Sequence, residues 1–287
     1  MSGPSTVHSK WTPYLLSTLR IVVGLTLIRH GLQNLFGFSG ETDPNFQAVL
    51  GGLGGMLAFP GGLLMILGLF TRPAALILSA VMAMAYLLGS FQQGYLWTFL
   101  NGGEPVVYYC VVFLFLAAAG GGSLSLDRVL SRKDSDDALY VLPEWAPRLL
   151  SVARFVIGFL FVQHGTEKLF AFPGGTVDHN FAAIRAWAGP IETIGGILIL
   201  LGLLTRPTAF ILAGHMAAAY FIRFPARGVW NSLILSEAAT YFCWFYLFMS
   251  SAGGGPWSLD AFISRRRSRQ AVSPSDEKLK EQAIQTE

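Results

Sequence analysis

The sequence predicts an all-α integral membrane protein, with eight transmembrane helices arranged as two pseudo-symmetric four-helix bundles. Three observations carry that expectation. Hydrophobic residues make up 53% of the 287 residues and charged residues only 13%, against about 25% charged in soluble domains. Apolar stretches of near-bilayer length recur along the whole chain. The order of glycines and polar residues among them also repeats. A soluble fold of this size leaves too much surface exposed to hide so much apolar area, so lipid is the solvent that fits.

The spans fall at 14–37, 50–70, 73–91, 104–120, 149–172, 187–204, 207–224 and 233–252. Each is close to the ~20 residues an α-helix needs to cross a bilayer. Residues 1–13 lack the charged start and small-residue site of a cleavable leader, so the first span is expected to stay as an anchor. The third span opens on Thr71-Arg72-Pro73, where proline suits a first helical turn and arginine an inside anchor. The fourth begins at Glu104 and stops at Gly120-Gly121-Gly122, before Ser125-Leu126-Asp127 caps a new helix. The remaining four spans retrace these features.

The repeat is exact in spacing over long stretches. Arg20, Gly24 and His30 answer Arg154, Gly158 and His164 at a constant separation (154 − 20 = 134). Thr71-Arg72-Pro73 answers Thr205-Arg206-Pro207 at the same offset. After a slip of one residue, Glu104 answers Glu237 and Cys110 answers Cys243 (237 − 104 = 133). Ser125-Leu126-Asp127 then answers Ser258-Leu259-Asp260. The layout follows: residues 1–13 as an N-terminal segment, 14–124 and 148–263 as two four-helix units, 125–147 as a charged linker and 264–287 as a polar tail.

An even number of spans per unit gives both units one orientation. Lys10, Arg72, Arg128 to Lys133, Arg148, Arg206 and Arg265 to Arg269 collect on one side; Glu41, Asp43 and Asp178 lie opposite, with Arg185, Arg223 and Arg227 dissenting. The positive-inside rule then places both termini in the cytoplasm. Each basic cluster directly follows an apolar span, which is a membrane signature and argues against nucleic-acid binding. The two cysteines sit inside spans, with no zinc or disulfide spacing.

Ionisable side chains inside spans cost about 2.5–3.5 kcal/mol on insertion scales, so each needs a reason. Arg20 and Arg154 lie early in their helices. Snorkelling to headgroups is the simpler reading, and a ligand contact the other. His30 and His164 follow ten residues later, each before a glycine that permits close backbone approach. One helical turn on, the first half has Gln33 and Asn34 and the second has Glu167 and Lys168. Glu104 and Glu237 open the fourth and eighth spans at the same level, where the helix dipole or a proton-transfer set would explain them. Glu192 and His215 occur in the second half alone, which points to that half as the working one.

Arg…Gly…His-Gly-x-x-Lys-Leu-Phe, the Gly-rich second span, Thr-Arg-Pro, Asn101-Gly-Gly-Glu104 and the Gly-rich turn into Ser-Leu-Asp together resemble the DoxX/DoxD-like membrane family. The likeness covers residues 14–130 and 148–263. The second half keeps His164-Gly165-Thr-Glu-Lys168-Leu-Phe170, where the first has Asn34 in place of lysine; the first alone keeps Asn101-Gly-Gly-Glu104. The resemblance implies a bacterial inner-membrane protein linked to quinone-dependent oxidation, as in thiosulfate:quinone oxidoreductase subunits.

Under that reading His164, Lys168, Glu237, Glu104 and His30 would carry the chemistry, and Arg154, Arg20, Glu167 and Glu192 would hold a quinone. Phe36, Phe38, Phe170, Phe172 and Trp187 offer ring contacts. The expected partners are the bilayer and other subunits of a redox complex. Two alternatives stay open: a non-catalytic scaffold, or a small-molecule carrier working between the repeats. Haem held by His30 and His164 is disfavoured because no further ligand pair accompanies them, and no metal site is expected.

Overall fold

The computed structural model describes residues 10–36, 53–93, 97–98, 100–130, 144–174, 184–223 and 237–268. Glu41, Asp43, Asp178, Arg227, linker residues 131–143 and the tail from Arg269 lie outside them, as do the side chains of Gln33, Asn34, Phe36 and Arg185 and all of Phe38. The described residues are mostly helical, without a strand among them. They comprise α1 (Thr12–Phe36), α2 (Leu53–Leu67), α3 (Thr71–Leu88), α4 (Glu104–Ala119) and the short α5 (Leu126–Leu130). In the second half come α6 (Ala146–Phe170), α7 (Ile184–Leu201), α8 (Thr205–Arg223), α9 (Glu237–Ala252) and a final helix, α10, over 259–268.

Thr12–Leu32, Thr71–Leu88 and Ala146–Phe170 are long and apolar enough to cross a membrane. Gly55–Leu67, Glu104–Ala119 and Trp187–Leu201 are apolar but shorter. Outward faces of these helices carry large apolar side chains, among them Leu25, Leu63, Ile77, Met84, Phe155 and Ile194, and α8 adds Phe210 and Ile211. Such continuous apolar surface is unsuited to water. The inside is close-packed through glycine. A Cβ on Gly24 would lie 2.9 Å from the Gly62 carbonyl, and one on Gly158 2.7 Å from the Leu200 amide, so α1 meets α2 and α6 meets α7 with backbones nearly touching.

The helices do not divide into two separate bundles. Within each half neighbours follow chain order, α1 to α4 and α6 to α9. Between halves, α1 packs on α9 and α4 on α6, so the eight long helices trace one closed cycle. Inside it, α4 and α9 face each other through aromatic rings: Tyr108 stacks on Tyr241 with centroids 4.1 Å apart, and Phe115 meets Phe248 at 5.5 Å. The most extensive helix contacts stay within each half, and the shared aromatic core joins the two units.

At one end the two halves carry the same fastening. Arg20 is wholly buried and Arg154 is 3% exposed. Arg154 donates from Nε to Gly254 O (2.9 Å), from Nη1 to Ile199 O (2.6 Å) and Leu200 O (2.5 Å), and from Nη2 to Trp257 O (3.1 Å). Arg20 repeats this with Gly121 O (2.9 Å), Ile66 O (2.9 Å), Leu124 O (2.5 Å) and Met65 O. The snorkelling reading is therefore corrected: each guanidinium satisfies helix-end carbonyls of its own half. Asp127 accepts from the amides of Phe70 (2.7 Å) and Thr71 (2.8 Å), capping α3, and Asp260 caps α8 through Leu204 and Thr205 (both 2.8 Å). Arg72 donates to Ala118 O at 2.6 Å, so it too works within the protein.

Candidate functional site

At the other end of α1 and α6 the ionisable residues meet across the halves. His30 Nε2 lies 2.8 Å from Glu237 Oε1, on the first helical residue of α9. His164 Nε2 lies 2.8 Å from Glu104 Oε2, on the first helical residue of α4. Each histidine is thus held by the carboxylate of the opposite half. A tyrosine completes each group: Tyr109 donates to Glu237, and Tyr241 to Glu104. Arg29 also binds Glu237. Both glutamates are buried, and a charge so far from water is retained only when paired and hydrogen-bonded.

The local sequence explains the placement. Gly165 follows His164, and a Cβ there would lie 2.4 Å from the Thr193 amide; one on Gly31 would lie 2.6 Å from the Phe59 amide. The histidine helices therefore press against their neighbours without an intervening side chain. Pro105 at the second position of α4 needs no amide partner, and the adjacent Gly103 amide is taken by Asn101 Oδ1 at 2.9 Å.

The two groups are not copies. Tyr241 answers Tyr108 by sequence, yet Tyr108 donates to the backbone carbonyl of Tyr241 (2.8 Å), and the neighbouring Tyr109 takes the carboxylate instead. The second half adds a further set. Glu192 binds Lys168, and its Oε1 lies 3.2 Å from His215 Nε2; Lys168 also donates to the His164 carbonyl (3.3 Å). His164, Lys168, Glu192 and His215 line one cavity of about 280 Å³, walled by Phe161, Met216, Ile222 and Phe242.

The predicted site residues therefore separate. His164, Lys168 and Glu192 share the cavity, and Glu104 stands behind His164. His30 and Glu237 form the counterpart group in the other half. Arg20 and Arg154 belong to the opposite end and are consumed by carbonyls. Glu167 is buried but does not line the cavity. Phe170, Phe172 and Trp187 are 68%, 50% and 65% exposed and none of them lines the cavity, correcting their assignment as ring contacts; Phe161 and Phe242 occupy that place. Arg29, Tyr109 and Tyr241 were missed. A tyrosine hydroxyl in an apolar helix needs a partner, and the adjacent Tyr108-Tyr109 was the signal available.

The fold and site define a helical, membrane-suited protein with a mainly apolar cavity, carrying four ionisable side chains, beside its aromatic core. The chain belongs to the DoxX family, whose model matches residues 15–90 and again 149–224. It is 38% identical over 125 residues to an uncharacterised protein of Haemophilus influenzae, covering 42% of this chain and 93% of that one. It is 33% identical over 133 residues to the inner membrane protein YphA of Escherichia coli, covering 40% and 90%. An uncharacterised membrane protein of Mycobacterium tuberculosis is 28% identical over 150 residues, covering 43% and 91%. These relatives have the length of a single unit, and two such units stand in tandem here. No solved structure matches the chain.

Proposed function

We propose that this protein is a multi-pass bacterial inner-membrane subunit of a redox complex, and that the cavity in its second half receives a quinone ring. The observation that carries the reading is the lining: cationic and imidazole donors converge on a small apolar chamber. Lys168 and the two histidines can donate to carbonyl oxygens, while Phe161 and Phe242 offer ring faces. That combination of apolar wall and few oriented polar groups is how small-molecule sites are built. The naming of relatives as inner membrane proteins supports the location.

Reduction of a quinone to a quinol takes two electrons and two protons, the electrons coming from a two-electron donor on a partner subunit. The chain's own part is binding and proton supply. Glu192 holds Lys168 and His215 in place by pairing with both. His164, backed by Glu104, is the group through which a proton reaches the chamber. In the membrane we place eight spans, both termini in the cytoplasm, and the basic end of the molecule on that side.

Gentle purification followed by solvent extraction tests the reading. A quinone near one per chain is expected, falling at least about tenfold in Lys168→Met and Glu192→Gln, in line with the loss of a buried charged hydrogen bond. Glu144→Gln, at an exposed position outside the cavity, should leave occupancy unchanged. An extract without quinone, together with no thermal shift on adding a short-chain quinone, would sink the proposal.

A further inference from the structure

A second and larger space opens at the basic end of the molecule, between the two halves. It measures about 1140 Å³, above the ~300–1,000 Å³ of ordinary small-molecule pockets. Leu16, Phe115 and Ala119 form one wall and Leu150, Phe248 and Ala252 the other. Lys10 and Arg206 stand among the groove residues at this end. Asp260 is also there, but its oxygens are taken by the amides of Leu204 and Thr205. Thr205 is only 1% exposed, and its hydroxyl is shut in beside Gly254 as that of its counterpart Thr71 is beside Gly121, so neither presents a donor to this space.

We infer that this groove holds one anionic phospholipid. Its phosphate would sit by Lys10 and Arg206, and its acyl chains along the walls contributed by α1, α4, α6 and α9. Water cannot fill the apolar part favourably, whereas acyl chains match it. The polar part is cationic and offers donors, which selects a phosphate over a neutral headgroup, as basic pockets between helices do on the cytoplasmic side. The bound lipid would fill the seam between the halves, opposite the end where the histidines cross. This inference rests on the membrane placement and not on the quinone reading.

Native mass spectrometry of the full chain in mild detergent, with phosphatidylglycerol or phosphatidylcholine added, tests it. One strongly held phosphatidylglycerol is expected, favoured over phosphatidylcholine by about fivefold or more per basic residue engaged. Lys10→Glu, at an exposed position, should erase that preference, and Ala119→Trp should expel the lipid by filling the groove. If Ala119→Trp does not fold, Lys10→Glu decides alone. Equal retention of the two lipids, indifference to Lys10→Glu, or a quinone or partner protein recovered from the groove instead would overturn the inference. Lys168→Met separates the two sites, since it should deplete quinone and leave the lipid adduct in place.

Discussion

Glu237 is held by three side chains and Glu104 by two, all of them from the other half of the chain. Removing one member of such a buried pair leaves its partner uncompensated, which costs about 3–5 kcal/mol. Glu237→Gln is therefore expected to lower thermal stability in detergent far more than an exposed substitution such as Glu144→Gln. Combining Glu237→Gln with His30→Gln should recover part of the loss, as a coupling of about 1–3 kcal/mol in a double-mutant cycle. Additive losses would show that the pair does not interact. The sequence showed His30, His164 and both glutamates as repeated ionisable residues, because repetition in an apolar helix is visible without a structure. It did not show that they cross, nor that Arg29, Tyr109 and Tyr241 join them. Those pairings join residues more than a hundred positions apart, and helical spacing says nothing about which faces meet.

Among the helices, the glycines and the buried arginines set how closely elements approach. A Cβ at Gly165 would press on the Thr193 backbone, so Gly165→Ala should force α6 from α7 and cost about 1–3 kcal/mol. Gly214 on α8 has nothing within 4 Å of such a Cβ. Gly214→Ala should instead be neutral or stabilise by up to about 1 kcal/mol, through helix propensity alone. Melting curves of the two variants check the contrast. Arg154→Lys keeps the charge but cannot reach four carbonyls, and a marked drop in melting temperature is expected even so; an unchanged value would restore the snorkelling reading. Helix positions were legible within a few residues, since the apolar stretches and the Thr-Arg-Pro and Gly-Gly-Gly punctuation mark their ends. The role of Asp127 was not. Ser125 caps its own short helix as the motif suggests, accepting from the Arg128 amide (3.3 Å), whereas Asp127 caps α3 by reaching back more than fifty residues.

For the molecule as a whole, the closed cycle predicts that neither half is complete alone. Chains ending and starting within 131–143, produced together with a tag on one, should co-purify through the α1–α9 and α4–α6 contacts. Each produced singly should be poorly recovered. Independent recovery of both, without association, would show that the halves are separate bundles after all. The membrane class and tandem organisation were legible in composition and in the constant offset. The cycle was not, because a repeat reports that two units are alike and not how they join.

The crossing of the histidine pairs has a consequence for descent. In an assembly of two identical subunits, every substitution near one histidine is copied to the other, and both sites change together. A single polypeptide carrying two copies escapes that symmetry: its two sites are inherited as different addresses. Lys168, Glu192 and His215 gather in one of them, while Arg29 enters the other. Each still borrows its carboxylate from across the seam, so the copies are free to specialise but not to part.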